Sequence, residues 1–245
     1  MRSSHDRFAL LVRPLDAQAV QAPSYDDDWT IAQVASHLGS QAEIFSLFLQ
    51  AGLAGDEPPG GEVFPPIWDR WNALPPEQQV SESVATNEEF VRRLEGLSES
   101  ERAEFSLSLF GSQMDLAGLA GLRLGEHAVH TWDVAVALDP TATVAPDAVE
   151  LLLDTLDTTA ARSGKPSGSL SEIVIETSAP RRRYLLTAAP EVALAPDTGS
   201  GQTTVELPAE ALLRLVYGRL DPDHTPAQVI GAGTLDELRE VFPGF

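Results

Sequence analysis

Apolar residues recur at helical spacing through roughly the first 140 positions of this 245-residue chain. Ile31, Val34, Ala35, Leu38, Phe45 and Leu49 fall on one face of a helix. Thr30 stands before them with Gln33 three residues on, a capping box, and Asp26, Asp27 and Asp28 place negative charge at the same end. This pattern predicts a helix to about Gln50. An earlier helix is expected over Ser4 to Val20, interrupted near Pro14. Residues 51–80 carry Gly52, Gly55, Gly60, Gly61 and six prolines, which predicts a long irregular connection. A further helix should cover Ser81 to Leu97, with Val84, Phe90, Val91 and Leu94 inward, and the longest should run from Asp115 to Leu138.

After Asp139-Pro140 the pattern changes. A helix at 146–162, with Val149, Leu151, Leu152, Leu153 and Leu156, leads into a flexible Gly164–Gly168 stretch. Ile173–Ile175, Tyr184–Leu186, Val192–Leu194 and Thr203–Leu207 read as short strands bounded by Pro, Gly, Asp or Ser. A helix from Ala209 to Leu220, a strand at Val229-Ile230 and a last helix from Leu235 to Val241 follow. Strands grouped away from a helical half give an α+β chain, with domains at 1–145 and 146–245.

Composition narrows the partners. Sixteen Lys and Arg against 37 Asp and Glu give a formal net charge of −21, which repels phosphate backbones and anionic lipid. Neither nucleic acid nor a membrane is expected as partner. The lone basic run, Arg181-Arg182-Arg183, is too short to reverse that field. The absence of cysteine excludes disulfides, Cys-ligated zinc, iron–sulfur clusters and a Cys nucleophile. The Phe8–Val12 run is too short for a signal-peptide core, and no apolar run approaches the roughly 18 residues that span a bilayer. A cytoplasmic monomer or homodimer is the expectation.

Chemistry concentrates in the helix over Asp115–Leu138. Its apolar residues, from Leu116 to Leu138, cover nearly every face, so it should be buried. Yet Arg123, Glu126, His127, His130 and Asp133 lie inside it, and a buried carboxylate must be paired, hydrogen-bonded or bound to a metal. Glu126 and His130, four apart, share a face one turn apart, as carboxylate–histidine pairs do in helical-bundle metal sites. A Glu–His⁺ hydrogen bond would explain the same pair without a metal. His127 could pair with His130 or with Arg123. Asp133 could orient a histidine or pair with Arg123 or another arginine. Of the five histidines, His37 is the best source of a third ligand, since it borders the apolar stripe beside Val34 and Leu38. His5 lies near a terminus, and His224 sits in Asp221-Pro222-Asp223-His224, a turn.

Trp29-Thr30, Val34, His37-Leu38-Gly39, Arg123, Glu126, Val129-His130 and Trp132-Asp133-Val134-Ala135 resemble the mycothiol-dependent maleylpyruvate isomerase family. This is an actinobacterial branch of the DinB-like metalloenzymes. The resemblance implies an N-terminal DinB-like four-helix bundle with a divalent metal, typically zinc, held by His37, Glu126 and His130. It extends more weakly over the second domain, which the family shares in form with sterol carrier protein modules. There Leu212–Arg219, Val229-Ile230-Gly231, Leu235 and Phe242-Pro243-Gly244 are similar to the family's pattern. Arg219 is the nearest match to the family's active-site arginine; as a helix C-terminal cation it would also complement the dipole. The Gly/Pro-rich 51–80 insert departs from the family and is expected over or near the bundle mouth.

Two His and one carboxylate leave an open position on tetrahedral zinc, the mark of a catalytic site. A thiol bound there would lose its proton, and the thiolate is the nucleophile. With no cysteine in the chain, a thiol-based reaction requires a small-molecule thiol, and the resemblance points to mycothiol. Addition to an electrophilic small molecule gives an isomerase if the thiol is later eliminated, and an S-transferase if the adduct leaves. Arg219 would bind a carboxylate of substrate or thiol cofactor in bidentate fashion, and Asp133 would serve the catalytic centre. The competing readings are a metal-dependent hydrolase with Asp133 or His127 as base, and a non-catalytic metabolite-binding bundle. Trp29 and Trp132 are read as packing residues.

Overall fold

The computed structural model describes every residue except 26, 27, 110, 169, 171, 200 and 245. The chain divides into two units, Met1–Thr143 and Val144–Phe245. The first contains α1 (Arg2–Val12), α2 (Ile31–Ala54), α3 (Phe64–Asn72), α4 (Pro76–Glu95), α5 (Glu99–Glu104), β1 (Leu107–Leu109), β2 (Ser112–Met114) and α6 (Leu116–Leu138). Helices α1, α4, α2 and α6 pack in a closed ring in that order, each against the next and α6 against α1, which is a four-helix bundle.

Local signals set the two helices that matter most. Thr30 accepts from the Gln33 amide while Gln33 caps back onto the Thr30 amide, so the capping box forms as expected. Of the three aspartates expected at this end, Asp26 and Asp27 lie outside the described residues. Helix α2 runs past Gln50 to Ala54 and stops where Gly55 turns left-handed, so α2 rather than α6 is the longest helix. Asp115 caps α6 by accepting from the Gly118 amide. Two cores flank α2. One gathers Phe45, Phe48, Phe90, Phe105 and Leu119; the other gathers Phe8, Ile31, Val34, Leu38 and Val134.

The irregular connection expected over 51–80 is corrected by the structure. Pro65 and Pro66 stand in the first turn of α3, where a missing N–H costs nothing, and Pro76 opens α4. Ile67 and Trp71, four apart, bury against α2. Trp71 lies so close to Gly39 that a Cβ there would sit 2.3 Å from the indole ring. The bulky ring thus reaches the α2 backbone only because position 39 has no side chain. Two further expectations change. The first helix ends at Val12, with only a 3₁₀ turn at Ala19–Gln21 beyond it. The supposedly all-helical stretch before 140 contains the antiparallel β1–β2 pair. Three-residue strands are too short to announce themselves by alternation.

The second unit contains α7 (Pro146–Leu152), α8 (Leu156–Ser163), β3 (Glu172–Ser178), β4 (Arg182–Thr187), β5 (Ala193–Pro196), β6 (Val205–Pro208), α9 (Ala209–Val216) and α10 (Leu235–Val241). Its sheet has the order β5-β4-β3-β6, antiparallel except for the parallel β3–β6 pair. Ile173, Ile175, Leu186, Leu194, Val205 and Leu207 alternate inward beside Leu212 and Val216 of α9. The single helix expected over 146–162 is two, joined by a 3₁₀ turn at Leu153–Thr155, and Leu151 faces solvent. The strand expected at Val229-Ile230 is only one bridge, Ile230 to Glu206. Helix α9 ends four residues before Leu220. Gly218 there has φ +71° and packs its Cα side directly on Gly244, which a side chain would block.

No described helix is long and apolar enough to cross a membrane.

Candidate metal centre

Helix α2 carries His37 two turns below its cap, and α6 carries Glu126 and His130 on one face. The packing of α2 on α6 brings the three together: one ligand atom from each lies within 4.8 Å of the others. Nε2 of His37 is 3.4 Å from Glu126 Oε2, and Nε2 of His130 is 3.8 Å from the same oxygen. The rings of His37 and His130 meet edge-on at 4.6 Å between centroids. Ligands 2.0–2.2 Å from a tetrahedral ion are roughly 3.3–3.5 Å apart. The observed spacing is close to that; 3.4 Å is at the long limit of a hydrogen bond and 3.8 Å is beyond it. The Glu126 side chain is 29% exposed and His130's is 14%, so the cluster opens to solvent.

Protonation suits a cation. Burial lowers the His37 pKa against the opposing hydrogen bond to Glu126, which keeps the imidazole neutral. Burial alone would raise Glu126, but the hydrogen bond from His37 and the charges of His130 and Arg123 hold it down to about 2. A neutral imidazole, as at His37, and an ionised carboxylate are forms that ligate metals.

Asp133 sits behind the cluster. Its Oδ2 is 2.8 Å from His130 Nδ1, leaving His130 Nε2 to face Glu126, and its own side chain is buried. Of the alternatives open for Asp133, this geometry selects the histidine-orienting one over the Arg123 pair. Trp29, read from sequence as packing only, is also a wall of the site. Its ring stacks on His130 at 6.2 Å and leans on His37 at 5.3 Å. Trp29 immediately precedes the Thr30 cap, and that adjacency was the available signal. Trp132 is packing: it is buried, and its indole N–H donates to the Ala142 carbonyl.

The remaining histidines do other work. His127 turns to α1 rather than to His130 or Arg123: its Nδ1 shares a 2.8 Å hydrogen bond with Ser4 Oγ. His5, set aside as near-terminal, is buried with Nε2 3.0 Å from Glu88 of α4. His5, Asp6 and Glu88 also cluster closely, but Arg2 bridges Glu88 and Glu95, so this is an ion-pair network joining α1 to α4. His224 bonds Asp221 in its turn, as the sequence implied. In the second unit, Arg219 is half-buried after α9, with Nη1 donating to the Tyr217 carbonyl at 2.8 Å. Sequence reasoning overlooked Arg214, which is buried, paired with Glu210 and bonded to the carbonyls of Arg219 and His224.

Burial lowers the pKa of His5 and, much further, of His127. Burial thus makes both harder to protonate in the folded chain, while in the unfolded chain they titrate near 6.5. Below that pH the unfolded state binds protons that the folded state refuses, so stability falls as pH falls. Each such histidine contributes about 1.4 kcal/mol per pH unit between 6.5 and its own folded value. Paired carboxylates such as Glu88, held near 2 by the hydrogen bond from Arg2, act only below their unfolded values near 4.5. Urea midpoints between pH 6.5 and 5 therefore isolate the histidines. His127→Leu should flatten the acid slope of the metal-free protein; an unchanged slope would contradict a neutral His127.

A four-helix bundle bearing a convergent His–Glu–His cluster, followed by a small α+β unit, defines a two-unit chain with a candidate metalloenzyme centre. Residues 1–135 match the family model of the mycothiol maleylpyruvate isomerase N-terminal domain, and residues 143–240 match the model of the MDMPI C-terminal domain. The chain belongs to this family of enzymes. Two solved structures share the fold at 17% identity, each covering 89% of this chain and 86% of the other. They are a mycothiol-dependent maleylpyruvate isomerase, with TM-score 0.59, and a histidine-to-alanine variant of that isomerase, with TM-score 0.63. No curated protein sequence matches the chain.

Proposed function

We propose that this protein is a metal-dependent, mycothiol-dependent isomerase acting on a small electrophilic olefin. The observation that carries this reading is the convergence of His37 and His130 Nε2 on one oxygen of Glu126. Family membership over both units supports the thiol. His37, Glu126 and His130 would hold a divalent ion, and mixed nitrogen and oxygen donors admit zinc. Bound there, such an ion supplies a deprotonated thiol at neutral pH.

The chain's own groups frame the reaction. Because it contains no cysteine, the sulfur nucleophile must arrive on a small molecule. The thiolate sulfur adds to one carbon of a cis double bond conjugated to a carbonyl, and the π electrons move onto the carbonyl oxygen. The former double bond is then single and rotates. Collapse of the enolate re-forms the double bond as trans and expels the thiolate, so no atom is gained or lost. Trp29 packs beside both histidines, and Asp133 holds the His130 ring in its orientation. The family resemblance puts Arg219 forward as the group that would bind a carboxylate of substrate or thiol cofactor, since its planar fork suits one.

The test is turnover of a cis enone diacid such as maleylpyruvate, with and without mycothiol, by protein loaded with zinc. Turnover only with thiol supports the reading. Hydrolytic cleavage of the substrate without thiol selects a metal-dependent hydrolase, and metabolite binding without turnover selects a sequestering protein. Two variants extend the assay. Asp133→Asn, which weakens the bond holding His130, should lower zinc affinity by about 10–100-fold; wild-type affinity would remove Asp133 from the site. Arg219→Lys should raise the KM of the anionic partner with little effect on zinc content, and an unchanged KM would leave Arg219 as a helix-end cation.

A further inference from the structure

The ligands of the cluster come from two helices, so their convergence depends on how α2 is seated against α6. One residue joins these helices next to the cluster. Arg123 lies three residues before Glu126 on α6 and is fully buried. Its Nη2 donates to the Leu38 carbonyl at 2.9 Å and to Asn87 Oδ1 at 2.6 Å. Asn87, on α4, donates from Nδ2 to the same Leu38 carbonyl at 3.2 Å and to the Ser83 carbonyl at 2.8 Å. The guanidinium also faces the Phe45 ring of α2 at 5.7 Å. Leu38 is the residue after His37, and Gly39, next again, is where Trp71 presses on α2.

This arrangement is costly for a core. The partners of Nη2 are neutral, and Nε and Nη1 have none among the described residues. A buried cation without an ion pair carries a desolvation penalty that an apolar side chain of like volume avoids. What an apolar side chain lacks is the ability to join α6, α2 and α4 at one point beside His37. We propose that Arg123 is a positioning residue for the His37–Glu126–His130 cluster. Through Leu38 and Asn87 it fixes the depth and rotation of α2 on α6, and so the distance of His37 from the other two ligands. This rests on the cation-binding reading above.

Charge and geometry predict opposite results. The Arg123 charge repels a nearby cation, so if charge were its contribution, removing it would tighten metal binding. If geometry is its contribution, removing it loosens binding, and so does Asn87→Ala, which keeps the charge. The experiment titrates metal-free wild type, Arg123→Met, Arg123→Lys and Asn87→Ala with Co²⁺. It reads the dissociation constant and the visible d–d absorption, with far-UV circular dichroism to establish folding.

Arg123→Met and Asn87→Ala should each bind Co²⁺ about 10–100-fold more weakly, with altered d–d intensity, while remaining folded. Arg123→Lys, with the charge but not the fork, should fall between. If Arg123→Met does not fold, Asn87→Ala decides the matter alone. Wild-type affinity and spectrum in the folded variants, or tighter binding by Arg123→Met, overturns the positioning role. Failure of the wild type itself to bind Co²⁺ overturns the cation reading and this proposal with it.

Discussion

Glu126→Ala should abolish stoichiometric metal binding and lower thiol-dependent turnover by about 10³-fold or more, with the bundle still folded. Glu126 supplies the one anionic donor and the oxygen toward which both imidazoles point. Without it, two neutral nitrogens remain, and a divalent ion loses its charge compensation. Loss of a catalytic cation removes several kcal/mol of transition-state stabilisation, which corresponds to about 10³-fold in rate. The fold should tolerate the change because the side chain is 29% exposed and, among the described residues, contacts only the two histidines of the cluster through its carboxylate. Glu126→Gln keeps the shape and removes the charge, so it should resemble the alanine variant in metal content. Elemental analysis of untagged protein, with turnover measured in parallel, checks both. About one equivalent of metal in wild type and none in the variant supports the site. No metal in the wild type after reconstitution with zinc would sink the mechanism.

Trp132→Ala should cost about 3–5 kcal/mol of stability, enough to threaten folding of the bundle at physiological temperature. The side chain is 2% exposed and lies against Tyr25 at 4.8 Å between ring centroids. Its indole N–H satisfies the Ala142 carbonyl in the segment that follows α6, and that bond is worth about 1 kcal/mol beyond the lost packing. Trp132→Phe retains most of the volume and should lose much less. Urea midpoints at unchanged m-value measure both. Because Trp132 lies between His130 and Asp133 in sequence but faces away into the core, Trp132→Phe should leave zinc affinity at the wild-type level. A large fall in affinity would make Trp132 part of the site.

These predictions differ in what makes them legible. Glu126 and His130 could be paired from their spacing alone, because a helix places residues four apart on one face whatever surrounds it. Thr30, Gln33 and Asp115 mark helix starts for the same reason: a cap is a contact within four residues. Arg214 and Glu210 share the same four-residue spacing, but the other partners of Arg214, the carbonyls of Arg219 and His224, are backbone atoms of a turn with no sequence signature.

The sequence by itself therefore determined the caps, the seating of Glu126 and His130 on one helix face, and that any sulfur nucleophile must come from outside a chain with no cysteine. Only the tertiary structure decided that Asp133 holds His130, that His127 belongs to Ser4, that Trp29 covers both histidines, and that Arg123 reaches Leu38. It also decided that the proline-rich segment folds as α3, whose Trp71 fits because Gly39 leaves room. The physical reason is range. Helical periodicity and capping are settled by hydrogen bonds within a few residues. A buried polar side chain takes whichever partner packing brings within about 3 Å, and that partner can lie anywhere along the chain.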